Sequence, residues 1–178
     1  MVTGNARKVE IAKASMAGYG FEVEQIDIET PEIQSASSEE VVKFSAKYAA
    51  EQTNKPVFKV DVGLHINALK GFPGPFIKYI NKWLKPGDIT SLLSQYDDKS
   101  GYFIDALGYC EPGKDPVVFI SKTSGEFIEK ASGENGIMVD SIFIPSGYNK
   151  TIASMNMEES IELWNNKRYQ ELAEHLTK

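Results

Sequence analysis

Thr3-Gly4-Asn5-Ala6-Arg7-Lys8 stands at the mouth of a helix-like run from Ala6 to Ala17. The first turn of a helix has backbone N–H groups without intrahelical partners and carries the positive end of the dipole, so it attracts anions. Gly4 lets the backbone come close to an anion. Thr3 and Asn5 offer short polar side chains, and Lys8, one turn in, adds a mobile cation. Two readings of this stretch stay open on its own residues: a phosphate site, or an ordinary turn and helix cap. Gly18 and Gly20 stop the helix. Phe21 to Ile28 then alternates with one slip, which predicts a strand.

Further along, Ser37 and Glu40 form a capping box that opens a helix to about Gln52, with Val41, Phe44 and Tyr48 as its apolar stripe. Pro56 to Ala68 is the clearest strand. Val60, Val62, Leu64 and Ile66 point one way, and Lys59, Asp61, His65 and Asn67 the other, which puts Asp61 on the polar face. The turn Gly71 to Phe76 leads into a helix to Leu84, ended by Pro86-Gly87, and Asp88 caps a short helix through Ser94. Tyr102 to Cys110 and Val117 to Thr123 read as strands, and Glu126 to Lys130 extends that sheet or starts another strand. Ile137 to Ile144 reads as an apolar strand broken by Asp140-Ser141. The last helix is predicted from Met157 to Leu176, with Ile161, Trp164, Arg168 and Leu172 on one side.

The 178 residues suit one domain, residues 1–178, with room for two lobes. A net charge of -6 argues against duplex nucleic acid, which demands a basic footprint, though not against a free nucleotide. The single cysteine, Cys110, allows no internal disulfide and suits a reducing cytosol, so a cytoplasmic location is expected. No apolar run approaches the roughly 20 residues of a membrane span, and no secretory signal is read at the start of the chain. His65 and His175 are too sparse for a zinc cluster. Trp83 and Trp164 are expected to pack helices. Three acids stand out. Glu32 and Asp61 are either surface charge or the ligands of a hard divalent cation, since Mg²⁺ takes one or two carboxylates plus waters and phosphate oxygens. Asp140, inside an apolar run, caps a bulge or loop on the plainer reading.

Taken in order, the motifs resemble the inosine triphosphate pyrophosphatase family. They are Thr-Gly-Asn-x-x-Lys (3–8), Pro-Glu-Ile-Gln (31–34), Val-Asp-Val-Gly-Leu (60–64), Ala-Leu-Lys-Gly-Phe-Pro-Gly-Pro (68–75), Asp-Ser-Ile-Phe-Ile-Pro (140–145) and Gly-Tyr-Asn-Lys-Thr (147–151). Phe-Ser-Ala-Lys-Tyr (44–48) and Gly-Tyr-Cys (108–110) are similar to archaeal members. The resemblance implies an elongated, two-lobed α/β fold, with a mixed sheet, flanking helices and a central cleft, and a homodimer. It implies Mg²⁺-dependent hydrolysis of non-standard purine nucleoside triphosphates (ITP, dITP, XTP) to the monophosphate and pyrophosphate. By position, Thr3, Gly4, Asn5 and Lys8 bind the triphosphate, joined by Lys47; Glu32 and Asp61 serve the metal; Asp61 activates the attacking water; and Asp140 falls at the base.

The chain departs from that pattern on one side. Glu-Asp-Ser-Gly is Val60-Asp61-Val62-Gly63, and the aromatic-bearing Phe-Gly-Tyr/Trp-Asp is Ile137-Met138-Val139-Asp140. Glu-Lys-Asn is Glu159-Ser160-Ile161, Ser-His-Arg is Trp164-Asn165-Asn166, and the opening strand is trimmed to Met1-Val2. The phosphate and metal end is retained while the base-reading end is not, so loosened or altered base choice is expected. The alternative is a catalytically impaired paralogue that binds a nucleotide or phosphate ligand or supports a partner subunit.

Overall fold

Asn5 starts the first element. Its side chain accepts from the Lys8 N–H, and α1 follows (Ala6–Ala17), burying Val9, Ile11, Ala12 and Met16. Ser37 likewise caps α2 (Ser38–Thr53) by accepting from the Glu40 N–H. The reciprocal half of that box goes elsewhere, because the Glu40 carboxylate accepts from Ser35 Oγ at 2.6 Å. These contacts belong to a computed structural model, which describes residues 1–165 and 167–178.

Five strands form one antiparallel sheet in the order β2-β1-β3-β4-β5. They are β1 (Val57–Ile66), β2 (Pro73–Gly74), β3 (Ser100–Cys110), β4 (Val117–Phe127) and β5 (Phe143–Pro145). The edge strands are short and set by register, with Leu64 opposite Gly74 and Phe127 opposite Phe143. The remaining helices are α3 (Ile77–Trp83), α4 (Pro86–Leu93), α5 (Met157–Trp164) and α6 (Lys167–Leu176). The expected α/β class is observed.

The chain divides into two compact units. The first comprises Met1–Asp61, Asp105–Ser121 and Ile161–Lys178. Its core joins Ile11, Ala12 and Met16 of α1 to Phe58, Leu107 and Tyr109 of the strands and Tyr169, Leu172 and Ala173 of α6. Each of the larger of these side chains contributes about 1.5–3 kcal/mol by leaving water. On α2 the small residues Ala46, Ala49 and Ala50 pack with Val2, Val57 and Cys110. The contact is close: a Cβ on Gly108 would lie 2.9 Å from the Val42 carbonyl oxygen, so only glycine fits beneath that helix. The second unit comprises Val62–Ile104 and Lys122–Ser160. Phe103, Phe127 and Phe143 meet edge to face in its core.

Several expectations need correction. Phe21 to Ile28 forms no ladder; a single parallel bridge links Ile26 to Val2. Ile137 to Ile144 is a 3₁₀ turn (Met138–Ser141) followed by β5, because Asp140 Oδ2 accepts from the Ile137 N–H at 2.9 Å and curls the backbone. Asp88 does cap α4, from inside its first turn, where it accepts from the Lys85 N–H at 2.7 Å. On α2 the stripe is Val41, Val42 and the alanines, and Phe44 is exposed. The last helix is two helices, and of the segment Trp164-Asn165-Asn166 the final residue lies outside the described residues. Trp83 does not pack a helix interface: it is 68% exposed, tilted against Tyr79.

Candidate active site

The first turn of α1 supplies one wall. Thr3 Oγ1 accepts from the Asn5 N–H at 3.1 Å, and Asn5 Oδ1 accepts from the Lys8 N–H at 3.1 Å. These bonds fold residues 3–8 into a cap, and Gly4, Asn5 and Ala6 stay exposed. Thr3 is pinned by its own backbone: its N–H donates to Ile26 O, and its carbonyl accepts from Gln25 Nε2 at 2.9 Å. A Cβ on Gly4 would meet Asp27 Oδ1 at 3.5 Å, an ordinary contact, so packing within the chain does not by itself require glycine there.

Lys8 turns back to β1, where its Nζ donates to the Val60 carbonyl at 3.2 Å. Burial pushes this ammonium below the ordinary lysine value. The carboxylates of Asp61, Asp105 and Glu32 pull it back up, and the Arg168 cation adds to the lowering. Lys59 behaves alike. Burial lowers it, Glu32 and Asp61 raise it, and the Lys8 charge lowers it further. The Lys59 ammonium donates to Thr30 Oγ1, next to the Glu32 loop.

Lys8, Glu32 and Asp61 therefore share one electrostatic neighbourhood, with Lys59 as a fourth member. All four belong to the first unit. Two further groups complete it. Asp105 on β3 is buried, and burial pushes its carboxyl up while Arg168 and Lys8 pull it down. Arg168 on α6 places Nη1 3.2 Å from Asp105 Oδ1. With Glu32 exposed, the half-buried and buried charges are Asp61 and Asp105 beside Lys8, Lys59 and Arg168, so the carboxylates offset most of the buried positive charge.

Sequence reasoning had signals for the additional members. Lys59 shares the polar face of Asp61, Asp105 is the lone charge in an apolar strand, and Arg168 lies on the apolar stripe of its helix. The other two expected site residues are placed elsewhere. Lys47 on α2 pairs with Asp115 at 3.0 Å on the surface. Asp140 belongs to the second unit and caps its own 3₁₀ turn.

The donor chemistry suits a hard cation only in a limited way. Glu32 is exposed and Asp61 is half-buried, both with oxygen donors. Among the described residues no group of three or more His, Cys, Asp or Glu could enclose a metal. Such a pair fits Mg²⁺, which keeps waters and takes phosphate oxygens, and does not fit a closed structural site.

The chain is similar to several known proteins. A protein of Methanopyrus kandleri named dITP/XTP pyrophosphatase is 42% identical over 161 residues, covering 90% of this chain and 86% of its own. One of Tuber melanosporum named inosine triphosphate pyrophosphatase is 40% identical over 128 residues, 71% of this chain and 69% of its own. A solved HAM1 protein from Coxiella burnetii superposes with a TM-score of 0.79 at 24% identity, covering 99% of this chain and 96% of that one, and so shares the fold. The sequence profile of the Ham1 family matches residues 1–170, and the chain belongs to that family.

Proposed function

We propose that this chain hydrolyses non-canonical purine nucleoside triphosphates, dITP and XTP among them, to the monophosphate and pyrophosphate. One observation carries the reading: the carboxylates of Asp61 and Glu32, from two other segments, both favour the charged form of Lys8 beside an exposed helix N-terminus. The names of the relatives support the substrate class.

In this reading the amides of the Thr3–Lys8 cap and the Lys8 ammonium take the phosphates. Asp61 accepts a proton from a water that attacks phosphorus. The bridging P–O bond breaks, and its electron pair leaves with pyrophosphate. Glu32 and Asp61 would hold Mg²⁺, which when bound would neutralise charge on the phosphate oxygens. Lys47 is assigned to the triphosphate, and Asp140 to the base, on family resemblance alone. The Ile137–Asp140 turn offers no aromatic ring for a purine, which supports loosened base choice.

A homodimer fits the exposed aromatic surface of Phe72, Phe76, Tyr79 and Trp83. The free, buried thiol of Cys110 suits a cytoplasmic enzyme. The deciding experiment is a triphosphate panel, with ITP, dITP and XTP beside the standard nucleotides, assayed for pyrophosphate with and without Mg²⁺. Turnover of the non-canonical purines is expected. No turnover on any of them sinks the reading, and binding without turnover leaves the ligand-binding paralogue.

A further inference from the structure

Asp105 is the only charged side chain of β3, and it is 1% exposed; Arg168 is 3% exposed. Arg168 Nη1 is close enough to Asp105 Oδ1 for an ion pair but poorly aligned for a hydrogen bond. Among the described residues Asp105 Oδ2 and Arg168 Nε and Nη1 have no hydrogen-bond partner. Buried polar atoms left this way are costly, so a pair serving only to fasten α6 is a poor design. Fastening is already provided. Tyr169, Leu172 and Ala173 are in the core, and the Arg168 N–H donates to Ser121 Oγ at 3.0 Å.

The sheet shows what lies beside Asp105. β3 neighbours β1 and runs antiparallel to it. A Cβ on Gly101 would sit 2.9 Å from His65 O and 3.6 Å from Ile66 Cα, which fixes the local register. Four residues on from Gly101 is Asp105, and four back from His65 and Ile66 are Asp61 and Val62. Val60 and Val62 flank Asp61, so β1 brings one carboxylate to this level and β3 brings another. Lys8 donates to the Val60 carbonyl, and the charges of both carboxylates favour its ammonium form.

We propose that Asp105, anchored by Arg168, is a positioning residue of the polyphosphate site: it is the second carboxylate that holds the Lys8 ammonium against β1, where that ammonium meets the phosphates. The inference rests on the polyphosphate role of Lys8 given above.

The test is a binding cycle with inorganic pyrophosphate by titration calorimetry in Mg²⁺ buffer, with dITP kinetics alongside. Asp105→Asn is expected to weaken pyrophosphate and raise the KM for dITP about tenfold, the size of one lost charged contact, while kcat changes far less. In a Lys8→Met background the same substitution adds nothing. The double variant Asp105→Leu/Arg168→Met removes both charges, a replacement that buried pairs often tolerate, and provides a folded chain if Asp105→Asn alone unfolds. It is expected to show the same weakening. Additive losses in the cycle overturn the proposal, as does a folded double variant that binds pyrophosphate like the parent. If the parent binds and Lys8→Met loses binding while the Asp105 variants do not, only this inference falls. If the parent neither binds pyrophosphate nor turns over any triphosphate, both readings fall.

Discussion

Asp105 and Asp140 are the same residue in similar sequence settings, each an acid inside an apolar run, and both are buried. Their fates differ. Asp105 faces cations from distant segments, Lys8 of α1 and Arg168 of α6. Asp140 accepts from the N–H of Ile137, three positions back, and bends its own backbone. A buried carboxylate must find a donor, and the search can end locally or far along the chain. The first unit gathers its acids around remote cations and so builds a charged site. In the second unit Asp140 serves local structure, and exposed aromatics such as Phe72 and Trp83 mark the surface instead.

The widest gap between the two acidic environments should appear in catalysis. Asp61→Asn is expected to lower kcat by about 10²–10⁴-fold, the usual worth of a general base, with the melting temperature nearly unchanged. A fall of less than threefold removes Asp61 from the chemistry. Next, Arg168→Met breaks the buried ion pair of Asp105 and leaves only Lys8 to offset its charge, and urea unfolding should show a loss of about 3–5 kcal/mol. Asp140→Ala leaves the Ile137 amide without its acceptor, and the same measurement should show a smaller loss of about 1–3 kcal/mol. Equal losses for these two variants would erase the distinction between remote and local pairing.

A pH profile sharpens the comparison further. Lys8 must be protonated to hold phosphate, and burial lowers its pKa in the folded chain. kcat/KM should therefore fall as pH rises through a value below the ordinary lysine pKa of about 10.4, and Lys8→Met should lack that limb. The smallest effect belongs to the surface pair: Asp115→Ala, which removes the exposed partner of Lys47, should leave the melting temperature unchanged.

Much of this was legible in the chain. Asn5 and Ser37 act through neighbours three residues away, so their caps could be read directly. Glu32 and Asp61 stood out because their motifs occur in a known order. Asp105 and Arg168 were visible as charges in apolar patterns, but no local rule says which acid finds which base across a fold. Phe21 to Ile28 had a strand's alternation but found only a single bridge to Val2, since pairing is decided by the neighbour and not by the segment. The Ile137–Ile144 run misled for the opposite reason: a hydrogen bond from one side chain outweighed the apolar pattern.

The placement of the two tryptophans gives the molecule a pair of optical probes. Trp83 lies in the second unit and is bathed in water, whereas Trp164 lies in the first and is packed against the α1–α6 core. Their emission maxima should differ, the solvated indole lying to the red. Replacing Trp83 with phenylalanine would leave one fluorophore reporting on the half that contains Lys8 and Asp61, so melting of that half could be followed by colour alone.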